Sequence, residues 1–519
     1  MAVLAEDLIV IEASGKLKRL YAVLAELGMR ARCIATLGNL LESPPRLRPV
    51  AIHRDAGGAY GESIRIPVRP DAYERVRAEI RSVPGRLFIA TDYDQEGHSI
   101  AADVVELAKT VRPDLVPMRL QLTELSPEAL QASFAAVREY DPSLAVPGTA
   151  RRIVDRVIAS AYSLPSAGVL VGRSTSAIAA MARRGLVPTH EATLQIPCNS
   201  GGAHFTARAV VCGERQLGEV VEAAARAAPL SVASSRQCSL GEGADYAEFL
   251  ATMSEHMDLA GAAKLLQDLY EQGAVSYPRT ASRHYGARGL ARCKALARSH
   301  GARLQQGDDE VVLREGAHEA LHIVDALATR KIDITRPAGL QGSEKAIALS
   351  WLSRSMIESV WQIRRDLPDV MELPEPLSGL EWARDHGHAP AWYRRPKAGA
   401  RLLSPSAALL AGLQQQQIGR PSTLVGHVVR AQERHLVAPD GTEGPGASRV
   451  LARAPNGLRD PATAHRIDVV CQSAAALGLD LAVDQALAIA AGSGDQLARL
   501  METVEERTPD DDYSHVISP

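Results

Sequence analysis

Residues 86–97, RLFIATDYDQEG, decide how the N-terminal part of this chain folds. A short apolar run, RLFIAT, stops at a turn that carries Asp92, Asp94 and Glu96. HSIAADVVELAKTV (98–111) then recurs at helical spacing. Strand, turn and helix in that order make one half of a βαβ unit. The other half lies just upstream. DLIVIE (7–12) is a second apolar run, a Ser-Gly-Lys turn follows, and LKRLYAVLAEL (17–27) is a helical pattern stopped by Gly28. ARCIATLG (31–38) adds a further run. Strands alternating with helices predict an α/β domain with a largely parallel sheet over residues 1–121. In such sheets chemistry gathers at the carboxyl ends of the strands. Glu12 stands at one such end, and Asp92, Asp94 and Glu96 stand at another.

The whole chain has 519 residues, 46% of them hydrophobic and 23% charged, a balance that suits several folded domains and excludes wholesale disorder. No apolar run nears the roughly 20 residues that cross a bilayer. Met1-Ala-Val-Leu-Ala-Glu-Asp7 carries acids where a secretory signal carries bases, so the expected location is the cytoplasm. Six single cysteines show neither zinc-knuckle nor dithiol spacing and read as small buried hydrophobes of a reducing compartment. The net charge of −3 does not by itself announce a nucleic-acid binder, yet 50 of the 58 basic residues are Arg. Arg is the better bidentate partner for phosphate, although a GC-rich coding sequence produces the same bias. The motif GxxxxGK[ST] is absent, which argues against an ATP-driven motor.

Further along, residues 122–186 read as helical, with LSPEALQASFAAVREY (125–140) and ARRIVDRVIASAYS (150–163) as the main patterns. Residues 187–245 alternate and predict a β-rich arm. Residues 246–361 return to helices, apart from a short apolar strand AVSY (274–277). Residues 362–400 are Pro-rich and irregular. Within 401–463, helix is expected around 403–435, and PDGTEGPGASRVLARAPNGLRDP (439–461) reads as a loop or linker. Residues 464–519 form an Ala- and Leu-rich helical extension with a fraying tail, DDDYSHVISP.

Three groups of residues carry chemistry. Carboxylates at Asp92, Asp94 and Glu96 can converge on a hard divalent cation, magnesium before calcium, because an EF-hand loop is entered from a helix rather than a strand. The plain alternative is a solvated acidic turn. Glu12 can exchange a proton with an attacking or leaving hydroxyl, and Lys16, opening a helix, can hold a phosphate; alone they would rank as surface charge. In Val275-Ser-Tyr277-Pro-Arg279-Thr280 the phenol can attack phosphorus and the guanidinium can steady the developing charge. An ordinary packing tyrosine is the competing reading.

Set in order, these segments resemble the type IA DNA topoisomerases. IVIEASGK (9–16) and FIATDYDQEG (88–97) look like the two halves of the Toprim metal site, and YEQGAVSYPRTAS (270–282) looks like the segment with the active-site tyrosine. ATLGNLLESP (35–44), ARRIVDRVIASAYSLPSAG (150–168), VGRSTSA (171–177), GAHEALH (316–322) and IGRPSTLVGHVV (418–429) support the likeness, which runs from residue 3 to about 437. The resemblance implies a multidomain α/β and α+β protein with a toroidal core. Its parts would be a Toprim domain (1–121), a helical DNA-binding domain in two parts (122–186 and 401–463), a β-rich arm in two parts (187–245 and 362–400) and a tyrosine domain (246–361).

It also implies roles. Tyr277 would become linked to a 5′ phosphate, Arg279 and Lys16 would stabilise the transition state, and Glu12 would pass a proton to the leaving 3′ oxygen. Asp92, Asp94 and Glu96, with Glu12, would hold Mg2+. His318 would touch or position the scissile phosphate. Arg151, Arg152, Arg173, Ser176, Arg420, Ser422 and Thr423 would bind the DNA strand. The implied protein is an isomerase that needs no ATP, works on single-stranded segments of negatively supercoiled DNA, is a monomer without membrane attachment and sits on the bacterial nucleoid or a plasmid. Asn39, Thr175, Ala281 and His322 depart from the family pattern, and the chain lacks the Cys pairs of C-terminal zinc ribbons, so a compact form is expected. A Toprim-type nuclease and a catalytically silent DNA-binding relative are the alternatives.

Overall fold

The computed structural model describes residues 6–199, 202–302, 318–330, 332–371 and 373–506. The expected frayed tail (510–519), and Gly316 and Ala317 of the His318 segment, lie outside them.

The apolar runs become the sheet of the first domain. β1 (Leu8–Ile11), α1 (Gly15–Glu26) and β2 (Arg32–Ala35) open it. β3 (Leu41–Glu42), β4 (Ile52–Arg54), β5 (Tyr60–Glu62) and β6 (Ile66–Pro67) then form two small antiparallel pairs, β3 with β6 and β4 with β5. α2 (Pro70–Ser82), β7 (Leu87–Ile89), α3 (Gln95–Val111), β8 (Met118–Arg119), α4 (Pro127–Ala135) and β9 (Arg138–Glu139) complete the domain. The sheet runs β2-β1-β7-β8-β9, parallel throughout except for β9. Both faces are covered, as a parallel sheet requires. Ile9, Ile11 and Phe88 pack with Leu20, Leu24 and Phe134, while Leu8, Val10, Leu87 and Ile89 pack with Val76, Ile80 and Val104. Because successive strand side chains point to opposite faces, unbroken apolar runs were needed to fill both layers.

α5 (Val146–Tyr162) and α6 (Arg173–Arg183) follow, and then the arm: β10 (His190–Pro197), β11 (His204–Val211), α7 (Gly213–Arg226) and β12 (Val232–Ser239). The arm holds more helix than its small residues suggested. Val220 and Ala224, four apart, lay one apolar stripe of α7 into the core of the arm beside Leu194 and Ile196. α8 (Tyr246–Met253), α9 (Leu259–Glu271), α10 (Ala287–Ser299) and α11 (Glu344–Glu358) lead to β13 (Gln362–Pro368), β14 (Arg384–His386) and β15 (Gly399–Leu402). The chain thus returns to the arm, in sheets β11-β10-β15 and β12-β13-β14. AVSY is no strand: Val275 makes only an isolated bridge to Ile323, and Pro278 has no N–H to extend a ladder.

α12 (Pro405–Gln415), α13 (Pro421–Glu433), α14 (Pro445–Arg453), α15 (Ala462–Gln472), α16 (Ala474–Leu477), α17 (Leu479–Ala491), α18 (Gly494–Met501) and β16 (Glu505–Glu506) end the described chain. Two expectations are corrected here. The supposed linker at 439–461 contains α14, with Pro445 in its first turn and Gly446, Ala447, Val450 and Leu451 buried. Gly446 marks a close approach rather than slack, since a Cβ there would lie 1.9 Å from the Arg434 carbonyl oxygen. The C-terminal helices are also no appendage. Ala482, Val483, Ala486, Leu487 and Ala490 are fully buried in the same core as Ile153, Val154 and Val157 of α5, and β16 pairs in parallel with β4. Among the described residues no helix is long and apolar enough to cross a membrane.

Candidate active site

The acidic turn after β7 is held from behind by one cation. Arg119, buried, donates from Nη1 to the carbonyls of Ile89 and Thr91 (3.0 and 2.8 Å) and from Nη2 to that of Asp92 (2.9 Å). Asp94 caps α3 by accepting the Gly97 N–H at 2.7 Å. Glycine is required at 97, because a Cβ there would meet the Asp92 carbonyl oxygen at 1.9 Å. The turn therefore presents three carboxylates to three different partners. Asp92 is paired with Lys16 from the first turn of α1, Asp94 accepts the Tyr277 hydroxyl at 2.6 Å, and Glu96 lies 3.6 Å from Arg279.

Tyr277 thus meets a carboxylate 183 residues away in sequence. Its ring is buried, stacked on His318 at 4.3 Å between centroids and edge-on to Tyr270 at 5.6 Å. Its backbone N–H donates to the Thr123 carbonyl at 3.1 Å, which ties the tyrosine segment to the chain just after β8. Beside that bond, Glu124 accepts from Arg292 at 2.6 and 3.0 Å and from Ser126 at 2.7 Å. His322, one of the residues that depart from the family pattern, sits 3.6 Å from the same carboxylate. Burial, together with the Asp94 and Asp92 charges, pushes the Tyr277 phenol well above its ordinary range, so it rests neutral. Burial and then the charge of Asp92 push the Glu12 carboxyl up to about 8, against the pull of Lys16. Glu12 Oε2 has no hydrogen-bond partner among the described residues. Glu12 is therefore protonated at neutral pH. Burial, opposed by Arg279, also raises Glu96.

As a donor set, four carboxylates suit a hard cation in kind. In the structure Asp92, Asp94 and Glu96 are engaged by Lys16, Tyr277 and Arg279 in turn. Among the described residues no group of three or more His, Cys, Asp or Glu side chains is gathered to hold a metal ion.

The residues expected to bind DNA divide into two groups. Arg151 Nε, Arg173 Nη1 and Arg420 Nε converge on one carboxylate, Asp468 of α15, at 3.0, 2.7 and 3.7 Å. Arg173 also pairs with Asp155 at 3.2 Å. Arg151 reaches from this cluster to Gln95, beside the acidic turn. Ser176 is fully buried, and its hydroxyl has no partner among the described residues. Arg152 is not in this group: it pairs with Glu62 at 2.7 Å and reaches Ser99 at 3.3 Å. Thr423 accepts the Arg420 N–H at the start of α13, beside Ser422. A cavity of about 880 Å³ adjoins Arg173 and is lined by Arg46, Arg48, Thr175, His427, Arg430 and Arg434 among others. Arg119, Glu124, Gln95 and Asp468 escaped the sequence reading. The spacing of Asp155, four residues after Arg151 on one helix, points to Arg151, whereas its ion pair is with Arg173.

The site thus brings a buried tyrosine against a carboxylate turn of the α/β domain, with Arg279, Lys16 and Glu12 beside the same turn. No family model matches the chain. It is 25% identical over 170 residues to "DNA topoisomerase I, plasmid" of Xylella fastidiosa, covering 33% of this chain and 24% of the relative. It is 26% identical over 156 residues to "DNA topoisomerase 1" of Thermotoga maritima, covering 30% and 23%. The matched segments thus span about a quarter of the length of these relatives. The structure of full-length topoisomerase I from Thermotoga maritima superposes with a TM-score of 0.61 at 15% identity, covering 94% of this chain and 90% of that one. The fold is that of a type IA DNA topoisomerase.

Proposed function

We propose that the chain is an ATP-independent type IA DNA topoisomerase that cuts one DNA strand through Tyr277 and rejoins it after another strand has passed. The observation that carries this reading is the bond from the Tyr277 hydroxyl to Asp94, on a turn whose other two carboxylates, Glu96 and Asp92, face Arg279 and Lys16. In the forward step Tyr277 Oη attacks phosphorus and gives up its proton toward Asp94. The P–O3′ bond breaks, and the leaving 3′ oxygen takes the proton that Glu12 carries at neutral pH. Arg279, helped by Lys16, balances the charge on the phosphoryl oxygens. His318, stacked on the nucleophile, keeps its ring in place. Rejoining reverses each transfer, and the phosphotyrosyl ester conserves the bond energy, so no ATP is consumed.

Asp92, Asp94 and Glu96, with Glu12, are the residues that would hold a divalent cation, with magnesium the choice for an all-oxygen donor set; when bound it supplies charge neutralisation for the cut ends. The substrate would be single-stranded segments of negatively supercoiled DNA, led in through the arginines of α5, α6 and α13. Relaxation and decatenation are both open to such a site.

The test is incubation with negatively supercoiled plasmid and magnesium, without ATP, beside Tyr277→Phe. A ladder of topoisomers stepping by single links, lost in the variant, is the expected result. Nicked product that survives in the variant would replace this reading by a nuclease that uses the acidic turn alone.

A further inference from the structure

We propose that Asp468 is an intramolecular stand-in for a DNA phosphate: it closes the arginine cradle of the strand path, and an entering strand must displace it. The inference rests on the DNA-cutting reading above and adds a determinant of strand affinity to it. Asp468 reaches the cradle from α15, 295 residues after Arg173 in sequence. It offers one negative charge and two oxygens, as a phosphodiester does. Oδ1 takes Arg151 and Arg173, and Oδ2 faces Arg420. Burial would raise this carboxyl, but Arg173, Arg151 and Arg420 together hold it below the usual carboxylate range, so the charge is present at neutral pH.

The cradle nevertheless has more donors than Asp468 can use. Arg151 Nη2 and Arg420 Nη2 are buried without partners among the described residues. Buried donors of this kind cost stability unless a ligand satisfies them. A phosphate, with its further oxygens, can accept from more of them than a carboxylate. Two carboxylates, Asp155 and Asp468, offset three guanidiniums in the resting protein. Exchange of Asp468 for a phosphate leaves that balance unchanged, whereas loss of the Asp468 charge leaves the cradle more positive. The link from Arg151 to Gln95 puts the cradle next to the acidic turn.

The experiment compares the intact chain with Asp468→Asn, which keeps the shape and removes the charge, in binding a fluorescent oligo(dT) over a range of salt in magnesium-free buffer. The variant is expected to bind roughly tenfold more tightly at low salt, with a salt slope steeper by about 0.7 for each added phosphate contact. Equal affinity and slope in the two proteins, or weaker binding by a variant that melts normally, would make Asp468 a structural counterion and overturn the proposal. If neither protein binds the strand, the DNA-cutting reading fails and takes this inference with it.

Hydrogen exchange on the unaltered chain covers the case in which Asp468→Asn does not fold. Oligo(dT) should speed exchange in 462–472 while protecting 146–162. Protection of both segments would mean that α15 stays seated, which also overturns the proposal.

Discussion

At the scale of the residue, the site depends on charges buried in pairs. Lys16 and Asp92 are both nearly inaccessible, and each is the other's main compensation. Lys16→Met keeps the volume and strands the Asp92 charge in a low-dielectric setting. We expect it to cost about 3–5 kcal/mol of stability, read from urea denaturation, before any effect on strand cutting is considered. A loss below about 1 kcal/mol would mean that water reaches Asp92 and that the pair behaves as a surface bridge. The residue types that do chemistry were legible in the motifs. Their electrostatic states were not, because the rise of Glu12 and of the Tyr277 phenol comes from burial and from neighbours far away in the chain.

At the scale of the element, α13 carries a half-buried group with a measurable signature. Burial, and then the charges of Arg430 and Arg173, push the His427 imidazole down from its ordinary value of 6.5 to about 4. The folded chain holds His427 neutral in this window, whereas an unfolded imidazole takes up a proton below about 6.5. Each proton bound by the unfolded state favours unfolding, so stability falls as pH is lowered from about 6.5 to about 4, by on the order of 1 kcal/mol per unit. Thermal melts across that range should show the slope, and His427→Asn should flatten it. An unchanged slope in the variant would assign the pH dependence to other groups. Helix and strand periods were read correctly for α1, α3 and α5, because their apolar residues repeat at one spacing. They were misread for α14, where Gly444, Pro445 and Gly446 look like a loop but serve as a helix start and a close approach to Arg434.

At the scale of the whole molecule, the C-terminal helices close the core that α5 opens. Ending the chain at Pro461 removes α15–α18 and exposes the faces of α5 that Ala482, Val483, Ala486 and Leu487 cover. At about 25 cal/mol per Å² of apolar surface, each ~200 Å² so exposed costs about 5 kcal/mol, the lower end of the 5–15 kcal/mol by which a typical domain is stable. The shortened chain should lose its cooperative melt by circular dichroism. A sharp melt close to that of the full chain would mean that residues 464–506 are an independent extension after all.

The amino-acid sequence by itself determined the α/β domain, since apolar runs and helical repeats are local properties that need no partner to be read. It also determined which residues have chemistry to offer: a tyrosine beside an arginine, three acids on one turn, a glutamate and a lysine at another strand end. Only the tertiary structure decided what each of them faces. Tyr277 rests on Asp94, Arg292 from 168 residues away answers the Glu124 charge, and Asp468 fills the space among three arginines. The physical reason is range. Backbone propensity and side-chain period act over a few residues, whereas a buried charge is answered through space by whatever group the packing brings within about 3 Å.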